Sequence, residues 1–165
     1  MISRQDFAGR FGGVFEHSPW VAERAHDGGT MTGPLTVPGV HRALCSAFRA
    51  ASREDRLGVL RAHPDLAGKL ALAGELTVES KSEQASAGLD RLTADEHARF
   101  SDLNSRYVAR FGFPFIIAVK GLTKGDILAA FEARIDNGAE QEFETACGEV
   151  EKIALLRLTS MLPGE

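Results

Sequence analysis

Along residues 93–111 the large apolar positions Phe100, Leu103, Tyr107 and Phe111 recur at intervals of three and four. That spacing lines one face of an α-helix. Thr93, followed three residues on by Glu96, is a capping-box start, so a long helix is predicted to open there. The same signals recur. Ser52 with Asp55 opens a helix in which Leu57 and Leu60 share a face, and Ser80 with Glu83 opens one toward Leu92. Thr123 with Asp126 opens a helix carrying Ile127, Phe131 and Ile135 and ending at Asn137-Gly138. A last helix runs from about Glu140 to Met161, with Phe143, Val150, Ile153, Ala154 and Met161 on one apolar stripe.

Three stretches break the pattern. Residues 26–39, "HDGGTMTGPLTVPG", are rich in Gly, Thr and Pro and read as a surface loop. In "AHPDLAGKLA" (62–71) Pro64 disfavours helical dihedrals at His63 and itself suits a first helical turn, so the segment reads as helix, break at His63, helix. In "FGFPFIIAVKG" (111–121) Gly112 and Pro114 argue against helix, and the apolar run reads as irregular and buried. Strand signals are too thin for a sheet. The expectation is an all-α protein, a compact single-domain bundle of about seven or more helices spanning residues 1–165, with one irregular buried segment at 111–121.

Composition narrows the functional classes. The chain has 165 residues, 44% hydrophobic and 25% charged, which suits one soluble domain. A net charge of −4 and the lack of any Lys/Arg run give no footprint for nucleic acid or an anionic membrane. The longest apolar run falls well short of the ~20 residues that span a bilayer, and no secretory h-region opens the sequence. Cys45 and Cys147 lie outside any CxxC pattern, so free thiols in a reducing, cytoplasmic setting are expected. His17, His26, His41, His63 and His97 show no ligand spacing, and there is no GxGxxG, P-loop or GxSxG element. Neither a metal nor a cofactor is expected.

Four features carry candidate chemistry. His63 at a helix break has a fixed backbone corner, which suits a proton-transfer group as well as a plain cap or packing residue. Glu83 is the third-residue acid of a capping box at Ser80, or one of several oxygen- and amide-bearing groups (Ser80, Glu83, Gln84) that meet a ligand at a helix N-terminus. Arg157 interrupts the apolar stripe of the last helix. It must meet a buried carboxylate or an anionic ligand, because an unpaired buried guanidinium is costly. The irregular 111–121 backbone needs hydrogen-bond partners, which a core or an amide-rich ligand would supply.

Four stretches together resemble one family: "FGGVFEHSPWVAERA" (11–25), "AHPDLAGKLA" (62–71), "LTVESKSEQASAGLDRL" (76–92) and "YVARFGFPFIIAVKG" (107–121). "EVEKIALLRL" (149–158) resembles its last helix. The family is that of the 2-oxo-4-hydroxy-4-carboxy-5-ureidoimidazoline (OHCU) decarboxylases of urate degradation. The resemblance implies an all-α fold and cofactor-free decarboxylation to (S)-allantoin. It places the catalytic histidine at His63 and its acidic partner at Glu83. Substrate contacts fall on Pro64, Ser80, Glu83, Gln84, the backbone of Phe115, Ile116, Ile117, Ala118 and Val119, and Arg157. It also implies a small-molecule substrate and a homodimer, and the ending "LPGE" lacks a peroxisomal signal, which fits the cytoplasm. The sequence departs in its longer, Gly-rich 26–39 stretch and in Ala118, where Cys is common. Two rival readings stay open: a non-enzymatic helical interaction module, and an enzyme for a related ureido or imidazoline acid.

Overall fold

The computed structural model describes residues 2–29, 34–68 and 74–162. All regular structure among the described residues is helical, with no strand. The helices are α1 (Arg4–Phe11), α2 (Trp20–Asp27), α3 (Val37–Ala50), α4 (Arg53–Ala62), α5 (Val78–Ser86), α6 (Ala94–Phe111), α7 (Lys124–Arg134) and α8 (Ala139–Met161). The all-α expectation is met. The chain divides into two compact units, one of residues 1–62 and 150–165 and one of residues 63–149; α8 supplies residues to both.

In the first unit α1 packs on α2 and α2 on α3. Each apolar stripe supplies core: Phe7, Phe11, Phe15, Leu44, Phe48 and Leu60 are fully buried. Phe7 meets Phe11 at 4.8 Å between ring centroids, and Phe15 meets Phe48 at 5.2 Å. The Thr36 hydroxyl caps α3 by accepting from Gly39 N–H, with Pro38 in the first turn, where its missing N–H is harmless. Surface pairs such as Arg4–Asp27 add little, because water screens them.

The second unit is built around aromatic rings. Tyr107 on α6 touches the rings of Phe111, Phe113, Phe115 and Phe131. Phe115 stacks on Phe131 of α7 at 4.0 Å. Such pairs contribute about 0.5–1.5 kcal/mol each beyond area burial. The boxes read at Thr93/Glu96 and Thr123/Asp126 are both formed, each side chain bonding the other residue's backbone N–H. Ser52 likewise accepts from Asp55 N–H at the start of α4.

Other expectations need correction. The helix read from Ser80 starts at Val78, capped by the Thr77 hydroxyl, which accepts from Ser80 N–H. Ser80 is thus inside the first turn, and Glu83 is not its box acid. Thr77 sits three residues before Ser80 as Ser80 does before Glu83, and the upstream cap wins. That helix also stops at Ser86, short of Leu92, and α7 ends at Arg134, just before Ile135. Within the 26–39 stretch α2 runs through Asp27 and α3 starts at Val37, while 30–33 lie outside the described residues. Met161 leaves the apolar stripe at 36% exposure. The second helix read from Pro64 does not form over 64–68, which is turn and irregular backbone; its remainder, 69–71, lies outside the described residues.

Gly112 ends α6 with φ +80°, its N–H returning to Val108 O at 2.8 Å. An L side chain there meets its own backbone. Gly112→Ala is expected to lower unfolding free energy by about 1–2 kcal/mol, read as a lower midpoint at unchanged slope in urea denaturation.

Candidate active site

Helix α4 ends at Ala62 because Pro64 bars helical geometry at the residue before it. His63 therefore stands at a corner, 7% exposed. The next residues fold tightly. Ala67 has φ +53°, the left-handed region, and a Cβ on Gly68 would come within 2.5 Å of Asp65 Cβ. A non-glycine residue held in that region costs about 1–3 kcal/mol and persists only where its surroundings enforce it. Here they do. Ala67 N–H donates to Gln84 Oε1 at 2.9 Å, Gln84 Nε2 donates to Asp65 O at 3.2 Å, and Asn104 Nδ2 donates to Leu66 O at 3.0 Å.

Gln84 comes from α5. Ser80, Glu83 and Gln84, at spacings of three and four, lie on one helix face. Ser80 and Gln84 are buried and Glu83 is half-buried. The structure thus joins the His63–Pro64 turn to the α5 segment through Gln84, whose amide grips main chain at both ends.

The 113–119 segment is neither helix nor strand. Phe113 to Ile116 and Val119 are buried, while Ile117 and Ala118 are half-buried. Its main chain is held largely by side chains. Arg134 Nη1 donates to Ile116 O at 2.7 Å, and Ala118 N–H donates to Glu149 Oε1 at 3.0 Å. Val119 O accepts from Leu122 N–H at 3.0 Å. Arg134 also lies over the Phe115 ring at 4.4 Å, a cation–π contact. Its charge is matched by Glu142, a carboxylate with no exposed surface. Glu142 accepts from Arg134 Nη2 at 3.0 Å, from Asn137 Nδ2 at 2.9 Å and from the Tyr107 hydroxyl. Burial, then the Glu142 hydrogen bond and charge, push the Tyr107 phenol far above its ordinary value.

None of Asn104, Arg134, Glu142 and Glu149 was singled out from the sequence. Tyr107 passed as one member of an apolar stripe. Glu142, in the first turn of α8, looked like an ordinary acid complementing the helix dipole. The one available signal was the polar Asn104 beside Leu103 on the α6 stripe.

Arg157 belongs to the other unit. Its Nη2 donates to Glu16 Oε2 at 2.8 Å, both side chains being 5% exposed or less, and Nη1 donates to Gly13 O at 3.3 Å and Val14 O at 3.4 Å. The buried carboxylate that an Arg on an apolar stripe requires is therefore Glu16. Next to it His17 takes φ +49° and stays exposed, its Nε2 3.9 Å from Glu16 Oε1.

Neither cysteine is in a disulfide, and burial beside Glu151 pushes the Cys45 thiol up to about 12, so it stays protonated. Among the described residues no group of three His, Cys, Asp or Glu side chains is placed to hold a metal ion, and no helix is long and apolar enough to cross a membrane.

The order of these parts along the chain is matched elsewhere. Residues 1–159 fit the family model described as OHCU decarboxylase. The chain belongs to the OHCU decarboxylase family. It is 44% identical over 164 residues to the 2-oxo-4-hydroxy-4-carboxy-5-ureidoimidazoline decarboxylase of Haloferax volcanii, covering 99% of this chain and 94% of that protein. It is 38% identical to the uric acid degradation bifunctional protein PucL of Bacillus subtilis, covering 98% of this chain and 31% of that one. Among solved structures, an OHCU decarboxylase in the presence of (S)-allantoin superposes with TM-score 0.68 at 26% identity, over 86% of this chain and 89% of that chain. An (S)-allantoin synthase superposes with TM-score 0.77 at 33% identity, over 98% of this chain and about half (51%) of that one.

Two outcomes follow from these buried groups in the family member described here. Tyr107 is the single tyrosine, so a phenolate absorbance titration reads it alone. Its folded pKa lies above the unfolded value near 10. The stabilisation is complete below that pH and is lost as pH rises, so phenolate is expected to appear only together with unfolding. Glu16→Ala removes the buried carboxylate bonded to Arg157 and is expected to cost about 3–5 kcal/mol of stability, measured by chemical denaturation.

Proposed function

We propose that this chain catalyses the cofactor-independent decarboxylation of OHCU to (S)-allantoin as a carboxy-lyase of urate degradation. The observation that carries the reading is a buried His63 at a proline-enforced corner, its turn bonded to the α5 face that bears Glu83, in a chain that matches the family over residues 1–159. That match also supports treating residues 1–165 as one catalytic domain.

Loss of CO2 leaves an electron pair on the carbon that carried the carboxylate. In this substrate the pair forms a double bond to the neighbouring ureido-bearing carbon, while the electrons of that carbon's ring C=N move to nitrogen, which takes up a proton. The electron sink that a cofactor normally provides is built into the substrate. The resulting enol loses its hydroxyl proton and gains one on the ureido-bearing carbon, giving the carbonyl of allantoin. One proton is consumed overall, and delivery from one face sets the S configuration.

In this scheme His63 and Glu83 bond each other and the substrate hydroxyl, and move the proton between that oxygen and carbon. Pro64, Ser80 and Gln84 flank them on the same turn and helix. The main chain from Phe115 to Val119 binds ring oxygens and nitrogens through the N–H and C=O groups that Arg134, Glu149 and Leu122 leave over. For Arg157 the proposed role is a grip on the ureido group, with Glu16 orienting the guanidinium fork. The free thiols fit a reducing cytoplasm, and a homodimer is the assembly proposed.

The test is turnover of freshly generated OHCU followed by optical activity at early times, because the uncatalysed reaction yields racemate. The wild-type chain is expected to give S product ahead of the background. His63→Ala is expected to lower kcat by ~10²–10⁴-fold while keeping the far-ultraviolet dichroism of the fold. Near-wild-type turnover in that variant rejects the assignment.

A further inference from the structure

Three successive residues after Pro64 have main-chain groups answered by two side-chain amides, and the last of the three, Ala67, sits at φ +53°. Gln84 serves Asp65 and Ala67, and Asn104 serves Leu66. These amides come from different helices, α5 and α6. The turn is therefore fixed from two directions in a conformation it would not keep alone.

The Asn104 amide has one possible orientation, because only its NH2 can donate to the Leu66 carbonyl. That choice leaves Oδ1 buried with no hydrogen-bond partner among the described residues. Asn104 is 6% exposed on a helix face whose other buried members, Phe100, Leu103 and Tyr107, are large and mostly apolar. Leucine has the same branched heavy-atom skeleton and would bring no unmatched acceptor. Packing therefore does not explain an amide at this position, whereas its bond to Leu66 does.

We infer that Asn104 is a positioning residue for His63: with Gln84 it clamps the strained 65–67 turn and so fixes where the imidazole, two residues upstream of Asp65, presents its nitrogens. The inference rests on the role proposed for His63 above. Proton transfer is sensitive to placement, and a displacement of about 1 Å costs up to about a hundredfold in rate. A loosened turn spreads the ring over positions of which few are productive, so the loss falls on kcat and spares affinity.

Three variants test this. Asn104→Leu keeps the branched heavy-atom skeleton and removes the donor. Asn104→Asp keeps the shape and faces Leu66 O with an oxygen. Asn104→Ala only removes atoms and serves if the bulkier changes do not fold. Each is expected to lower kcat by about ten- to a hundredfold, with the dissociation constant for (S)-allantoin within about threefold of wild type. In the ligand-free protein the His63 ring-proton resonance should shift or broaden, and the Ala67 amide should exchange faster with solvent. Folded variants with wild-type kcat, or a loss that lies wholly in allantoin affinity, overturn the inference. If the wild-type chain itself shows no turnover, the proposed activity fails, and the two magnetic-resonance readouts still decide the clamp. Movement at His63 and Ala67 supports it, and unchanged signals overturn it.

Discussion

A main-chain N–H or C=O that is buried outside a helix must find a partner, and in this protein side chains supply many of those partners. Two irregular stretches of the 63–149 unit show it. Gln84 and Asn104 hold the turn after His63, while Arg134 and Glu149 hold the segment after Pro114. A helix satisfies its own backbone and tolerates many side chains on its surface. These stretches tolerate few, because each long polar side chain reaches one particular atom. The site proposed here is assembled from such stretches, so its shape depends on residues several helices away in sequence.

The same constraint explains why so much charge is buried. Arg134 reaches Ile116 O only by leaving water, and a lone guanidinium there is untenable. Glu142 neutralises it, and the leftover lone pairs of Glu142 are met by Asn137 and Tyr107. Each member is needed because of the one before it. A buried ion pair of this kind adds little net stability over an apolar replacement. Its contribution is to place an otherwise unanswered carbonyl, and with it the stacked Phe115 ring, in one position. Glu16 and Arg157 are a second example, with the carbonyls of Gly13 and Val14 as the main-chain targets.

How much of this could be read beforehand follows from the range of each interaction. Caps and stripes are local, so Thr93 with Glu96, Thr123 with Asp126 and the run Phe100–Leu103–Tyr107 were legible. Where two caps compete within three residues, as at Thr77 and Ser80, local pattern could not choose between them. The break at His63 was legible because proline acts on its neighbour. Arg157 showed as a charge on an apolar stripe, yet its partner Glu16, 141 residues away, did not. Glu142 looks like an ordinary helix-start acid in sequence, and only the place of Asn104 on the α6 stripe hinted that a polar residue faces inward. Gln84 was read as a substrate contact, and the bonds of its amide to the turn main chain at both ends were not legible. The family resemblance names residues for the proposed site but not which of them act through the backbone.

That last distinction bears on how a decarboxylase without a cofactor can work. When the substrate carries its own electron sink, the protein contributes placement, exclusion of water and a proton on the correct face. Placement is therefore the larger part of the task proposed for it, and side chains that hold the main chain help to set it. A strained alanine at position 67 fits that economy of parts. Glycine would occupy φ +53° without steric cost but would leave the turn free to move. An alanine in the same place has fewer alternatives, and two amides hold it there. A rigid corner is thus built from an ordinary residue and its neighbours, and the imidazole at its edge takes its position from that corner.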